Sequence, residues 1–474
     1  MKKQLTFNNL CAISLAVFIG FTTLVSIVVV PMYSFLDFPY FKFVQWYDLL
    51  VYIFVACITF FIIRFADTFD KILKKRFVTV AFLFFGVAFI FLVPLSPFSD
   101  MKVVFDVATQ IAENNWGALK ESAYMGMYPN NALTAVLFGL LLKIFPHAVI
   151  IKIFNMLSTL GTAFLLVKIG QILKFKYLNL LFFFSLSLIS SFLCINHIYN
   201  DTVFCFLCAA VIFLYFQNKK RLPLCAVLLY ILCFFRPTAI IFAIGILMDF
   251  FVNSQETALK KASKTAVIGT LCILTVLGTN LVVTSITDQT VKTRPVASYV
   301  YMGFNEEEFG FMDGSHSKKR TMYDVKERIE GYGFSTTFKI LAKKGFWTWQ
   351  EGTFQAQRYA FGPDAETSDQ KFYRDTIVTP YLLNSSQRGR TVLNSVMRAQ
   401  YIVLMLMLVF SLIKTKGSSH LAFLTYIILG FLLFYLIWEI KSKYLFPLLP
   451  LYGIIIFSGF DKLVETTKGF FKKS

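Results

Sequence analysis

Residues 77–106 read FVTVAFLFFGVAFIFLVPLSPFSDMKVVFD. An apolar run long enough to cross a bilayer ends in a Pro-containing stretch and two carboxylates, Asp100 and Asp106. The basic loop Lys71 to Arg76 precedes the run. Basic loops stay on the cytoplasmic side of a membrane, so the run delivers Asp100 to the opposite surface.

The same pattern repeats outward from this stretch. Of the 474 residues, 57% are hydrophobic, against roughly 45–50% in soluble domains. Phe alone contributes 56, and Phe partitions favourably into hydrocarbon. The chain reads as an all-α polytopic membrane protein with about 12 transmembrane helices. Residues 1–76 hold two N-terminal spans, at about 9–33 and 47–64. The first is a retained span, since its apolar run is too long for a signal peptide. A central module, 77–286, holds span 3 at about 77–94 and an external loop at 95–130. In that loop Val103, Phe105, Val107, Ile111 and Trp116 suggest a helix lying on the membrane surface. The apolar stretch 131–146 is short for a crossing and reads as half-inserted from the external side. Spans 4 to 9 follow at about 148–171, 178–195, 202–218, two sharing 222–253, and 265–286. Residues 287–396 are polar and read as a small external domain. Residues 397–474 form a three-span module with a basic cytoplasmic tail.

The net charge of +19 is explained by this topology, because the strong basic clusters all fall inside. It adds attraction to anionic lipid and gives no reason to expect nucleic acid. The 8 cysteines lie in or at the ends of apolar runs, so no external disulfide framework is implied. Cys205 and Cys208 have CxxC spacing within an apolar helix, where packing is the expected role.

The polar residues that are costly near lipid gather at external ends of spans. Asp100 stands where a general base for a lipid-bound substrate would have to stand. Alternatively, it or Ser99 caps the next helix. Asn200 and Asp201 form a second external turn, where Asp201 also suits a helix start. Arg236, between Phe235 and Pro237, must pair with an acid or bind an anion. Lysines on the external loop Trp438 to Pro447 run against the positive-inside trend. They fit a lipid phosphate, or an i,i+4 pair between Glu439 and Lys443. Trp347, Trp349 and Glu351, with Tyr359, form an aromatic cluster suited to a sugar ring or to a core. The histidines show no metal-ligand spacing, and no phosphate-binding glycine loop is present.

In their order and sidedness these features resemble the GT-C membrane glycosyltransferases over about 77–460. The nearest likeness is to the polyprenyl-phosphate-sugar-dependent enzymes of the protein mannosyltransferase and aminoarabinose transferase type. The motifs are an external acid after a span, a surface helix, Tyr128-Pro129-Asn130, Asp201, Arg236-Pro237 and Glu439-x-x-x-Lys443-Tyr444-x-x-Pro447. Lys443 stands where the family commonly has Arg, spans 1 and 2 precede the usual first span, and the external domain sits between spans 9 and 10 rather than at the C-terminus. The resemblance implies Asp100 as catalytic base. Arg236, Lys443, Tyr444, Glu439 and Arg294 would hold the donor phosphate. Asp201, Asn200 and Asp106 would support the site, and Tyr128, Asn130, Trp349 and Glu351 would meet the acceptor. The implied reaction is inverting transfer of a sugar from undecaprenyl phosphate to a cell-surface glycan or teichoic-acid-like polymer. It takes place at the outer face of the plasma membrane of a Gram-positive bacterium, with both termini cytoplasmic. No cofactor is implied beyond the lipid-linked donor; a divalent metal is possible but not indicated. The competing expectations are a polysaccharide polymerase or ligase, which would take a lipid diphosphate donor, and a lipid-linked glycan flippase, which would line a path with mid-span polar groups.

Overall fold

The computed structural model describes residues 2–33, 39–93, 97–218, 221–253, 295–311, 319–361, 376–382, 388–416, 418 and 420–470, with scattered positions between 257 and 285. Arg294 and most of the ninth expected span lie outside the described residues. The described chain is helical except for one antiparallel ribbon. Helix α1 (Lys2–Ser26) gives way to β1 (Val29–Tyr33), which pairs with β2 (Pro39–Phe43), Val29 facing Phe43. The expected first span runs to about 33 and contains no strand. The helix ends early because Ile27 to Val30 is a β-branched run followed by Pro31, which favours extended backbone.

The next helices are α2 (Trp46–Arg64), α3 (Ala66–Ile72), α4 (Lys75–Leu92) and α5 (Ser99–Ala112). The short α6 (Ala118–Glu121) and α7 (Ala123–Met127) lead to α8 (Ala132–Ile144) and α9 (Val149–Ile172). Then come α10 (Leu178–Ser187), α11 (Ile189–Leu193), α12 (Asp201–Gln217), α13 (Leu222–Phe235) and α14 (Ile240–Asn253). The later part holds α15 (Val296–Gly303), α16 (Met322–Gln350), α17 (Ala356–Phe361), α18 (Thr379–Leu382), α19 (Arg388–Lys414), α20 (Ala422–Ile437) and α21 (Leu449–Phe470). Six of the described helices are long and apolar enough to cross a membrane, and a seventh crossing arises if the pair 178–187 and 189–196, bent by 59°, is one span. The protein is a helical, membrane-embedded bundle.

Local chemistry accounts for the joints. Gln400 of α19 reaches into the bend between α10 and α11. Its Nε2 donates to Ser187 O at 3.1 Å and its Oε1 accepts from Ile189 N at 3.0 Å, so the broken helix leaves neither group unpaired in an apolar setting. At the other end of α10, Asp70 Oδ1 accepts from the N–H groups of Asn179 and Leu180, both at 2.9 Å, capping the helix from a different segment. Helices α5 and α8 form a close pair. Met101, Val104, Phe105, Ala108 and Ile111 make the buried face of α5, the spacing of an amphipathic helix. Of the face expected, Phe105, Val107 and Ile111 are buried, while Val103 is half-buried and Trp116 is exposed. The fit needs Gly139, where a Cβ would stand 2.8 Å from Ile111 Cβ and 3.0 Å from Ala108 O.

The bundle has two chemically distinct ends. Asp201, Arg236, Glu439 and Lys443 occupy one. At the other, Asp67 accepts from Lys468 Nζ, lies 3.0 Å from Lys176 Nζ, and accepts from Tyr177 OH at 3.1 Å. The hydrogen bonds from Lys468 and Lys176 hold its carboxyl well below the usual carboxylate range. This second end also carries a buried knot. Tyr215 OH and Asn253 Nδ2 both donate to Asp249, Asn8 Nδ2 donates to Asn253 Oδ1 at 2.9 Å, and Tyr426 OH donates to Asn8 Oδ1. It fastens α1, α12, α14 and α20 together.

The segment 287–396, expected as an external domain, has part of its described length built into the bundle. Trp349, Phe354, Ala356 and Phe361 belong to the main core together with residues of α1, α12, α19 and α21. The Trp349 ring stands edge-on to Phe18 of α1 at 6.1 Å, and Gln350 Nε2 donates to Thr22 Oγ1 at 2.7 Å.

Candidate functional site

The site grows from the turn 196–201. Asn196 Nδ2 donates to Val93 O at 2.8 Å and Ala360 O at 2.9 Å, joining the end of α4 to α17. Asn155 of α9 donates to His197 O at 2.6 Å and accepts from Thr202 Oγ1 at 2.7 Å. These bonds fix a polar turn inside an apolar bundle, where unpaired backbone groups would be costly. They present His197, Tyr199, Asn200 and Asp201 on one surface.

Asp201 opens α12 and is 3% exposed. Arg236, between α13 and the turn Pro237–Ala239, donates through NH2 to Asp201 Oδ1 and through Nε and NH2 to Asn200 Oδ1, both at 3.2 Å. Asn200 in turn donates to Thr134 Oγ1 at 2.9 Å. On the other carboxylate oxygen, His197 Nδ1 lies 2.6 Å from Asp201 Oδ2. The His197 ring is layered between Tyr199 (5.6 Å, 20°) and Tyr359 (4.7 Å, 28°). Lys443 Nζ sits 4.1 Å from the centre of the Tyr359 ring and 5.5 Å from that of Tyr199, within cation–π range.

Asp100 lies in the first turn of α5, exposed, with Phe98 rather than Ser99 or Asp100 in the capping position. Its carboxylate acts on the phenols of Tyr124 and Tyr199. Burial raises both above the usual tyrosine range and Asp100 reinforces the rise. Tyr199 OH donates to Asn131 Oδ1 at 2.6 Å and Asn131 Nδ2 donates to Tyr124 OH at 3.0 Å. Asp100 thus acts on the cluster through its field at Tyr199, whose ring stacks on His197.

The other expected residues separate. Glu439 accepts from Tyr444 OH at 2.7 Å, and Tyr444 stacks on Tyr435 at 5.5 Å. Because α20 ends at Ile437 and 442–448 is a 3-10 turn, Glu439 and Lys443 do not share a helix face. Asn130 Nδ2 reaches Phe235 O at 3.4 Å, just before Arg236, and the Tyr128 ring leans on Tyr124 at 4.9 Å. Asp106 faces outward, paired with Lys102 at 3.4 Å, and lies apart from the site. Trp349 and Glu351 are buried in the core; Glu351 accepts from Thr353 N at 3.1 Å and from the Thr353 hydroxyl. Neither offers a face to a sugar; Tyr359, further along the same segment, lines the site instead. His197, Tyr199, Asn131 and Tyr124 carry no motif. The sequence signal was the turn Asn196 to Asp201 itself, whose polar residues are too dense for a mere helix start.

Two cavities meet here. One, of about 10 Å³, is lined by Cys194, His197, Asp201, Tyr359, Lys443 and Phe446, among others. The second, of about 40 Å³, lies between α9, α10, α12, α19 and α21. Its walls mix hydroxyls (Thr159, Ser191, Thr202) with apolar groups (Leu404, Pro450), and Phe446 borders it too. The pair sets charged walls beside largely apolar ones, the lining chemistry that an amphipathic ligand calls for. Among the described residues no group of three His, Cys, Asp or Glu side chains is disposed to hold a metal ion. Comparison with protein-family models, curated proteins and solved structures gives no match to the chain.

Proposed function

We propose that the chain is an inverting glycosyltransferase of the GT-C kind, moving a sugar from a polyprenyl-phosphate carrier to a cell-surface glycan or teichoic-acid-like polymer. One observation carries the reading. Asp201, Arg236 and Lys443, remote in sequence, meet at one end of a membrane bundle beside a pair of cavities with charged and apolar walls, and the field of Asp100 reaches Tyr199, whose ring stacks on His197 there. The reaction needs these elements. A carboxylate takes the proton of the acceptor hydroxyl, whose oxygen attacks the anomeric carbon. The bond from that carbon to phosphate breaks, and its electron pair stays on the phosphate, where positive charge stabilises it. Asp100 is the base in this scheme. Arg236 is engaged by Asp201 and Asn200, and Lys443, on the wall of the smaller cavity, is the cation assigned to the phosphate.

The topology in this reading has twelve crossings. They are the six long helices, the bent pair, α12, α13, α20, the helix 237–253 and the ninth expected span, with α8 half-inserted. Placing the basic end inside puts both termini in the cytoplasm and the site outside the plasma membrane. Replacing Asp100 by Asn should lower transfer from a polyprenyl-phosphate sugar by roughly 10²–10⁴-fold with the fold intact. Wild-type activity of the folded variant would reject the assignment. Activity only with diphosphate donors would indicate a polymerase or ligase, and flipping without transfer in proteoliposomes a flippase.

A further inference from the structure

A polar atom buried without a partner in a native structure calls for an explanation. His197 is 3% exposed. Its Nδ1 faces Asp201, while its Nε2 has no hydrogen-bond partner among the described residues. The same side chain lines the smaller cavity together with Lys443, and Phe446 is a wall of both that cavity and the apolar one. The orphan nitrogen therefore belongs to a side chain on the wall where the head of an amphipathic ligand would rest. With Lys443 there, that head is anionic.

We propose that His197 Nε2 is a phosphate-binding group, gripping the phosphodiester of a lipid-linked substrate jointly with Lys443 and gaining a proton as the ligand enters. The proposal rests on the lipid-phosphate reading of the site and deepens it. Several charged or titratable groups face the imidazole: Asp201 from α12, Arg236 from the α13 end, Lys443 from the 442–448 turn, Tyr359 from α17, Cys194 and Tyr199 from its own turn, and Asp100 beyond Tyr199. In the empty site burial lowers the imidazole below its ordinary value, Lys443 and Arg236 add to this, and Asp201 opposes it. A bound anion raises it, because opposite charge favours the protonated form. Proton uptake then accompanies binding. Affinity strengthens as pH falls from the bound-state toward the free-state value, by at most about tenfold per unit.

The test uses the full-length protein in nanodiscs with farnesyl methyl phosphate, a short polyprenyl phosphodiester whose single charge does not titrate in this range. Calorimetry in two buffers of different ionisation heat should show close to one proton taken up, and tighter binding at pH 5.5 than at pH 8. His197→Asn keeps an amide donor near Asp201 but has no atom at Nε2, and His197→Gln does the reverse. H197N should bind weakly, without proton uptake or pH dependence. H197Q should recover part of the affinity and none of the pH dependence. Lys443→Gln should weaken binding at every pH and keep its slope. Proton uptake unchanged in H197N, or no binding of the probe to wild type, overturns the proposal. Proton-linked binding without sugar transfer sinks the transferase reading alone. Transfer abolished by D100N, with binding unaltered in H197N, sinks this proposal alone.

Discussion

Arg236 is held by Asp201 and Asn200, and its guanidinium also lies 5.4 Å from the centre of the Phe204 ring. Truncating one partner of a buried ion pair strands the other charge and costs roughly 3–5 kcal/mol. Arg236→Ala should therefore destabilise the protein strongly, while the double variant with Asp201→Ala should cost less than the sum of the singles. Denaturation midpoints in one detergent measure both; additive losses would show that the pair is not a unit. Charges were the legible part of the site. A carboxylate or guanidinium at the end of an apolar run is costly, so Asp201, Arg236 and Lys443 stood out. His197 and Tyr359 did not, since their meaning comes from stacking between residues 162 positions apart, which no local pattern encodes. Trp349 and Glu351 misled for the same reason. An aromatic and an acid in a polar stretch look exposed, but helix α16 drives them against α1.

At the scale of elements, close approach is specified by small residues. A side chain at Gly139 would enter the α5 backbone at Ala108 and the Ile111 side chain, and overpacking of this kind costs typically about 1–3 kcal/mol. Gly139→Val should lower the thermal midpoint and shift α5, and with it Asp100, so that any activity falls alongside stability. Unchanged stability would mean that the α5–α8 contact is looser than described. The surface helix was readable because its apolar residues recur on one face. The edge of that face was not, as Val103 and Val104 are equivalent by composition and only the partner α8 distinguishes them. The bend at 187–189 was hidden in a continuous apolar run, because the residue that stabilises it, Gln400, lies in another helix. The ribbon 29–43 was partly visible, in a β-branched run ahead of Pro31 that was read as the end of a span.

Over the whole molecule, the basic clusters and the acid-bearing turns segregate to opposite ends of the bundle, and this arrangement was legible from the first apolar run onward. It has a direct check. Single cysteines at the exposed Glu113 and Glu465 should react with a membrane-impermeant maleimide from opposite sides. In intact cells Glu113→Cys should label, and Glu465→Cys only after permeabilisation; the reverse pattern would invert the molecule and remove the outer-face site. The knot of Asn8, Tyr215, Asp249, Asn253 and Tyr426 bears on how such a molecule can move. Breaking a buried hydrogen bond costs about 1–3 kcal/mol for each orphaned group, so four helices are cinched together at the rim away from the site. Any parting of these helices to admit a long-tailed guest must then open like a fan from that rivet, widest at the rim that carries Asp201 and Lys443.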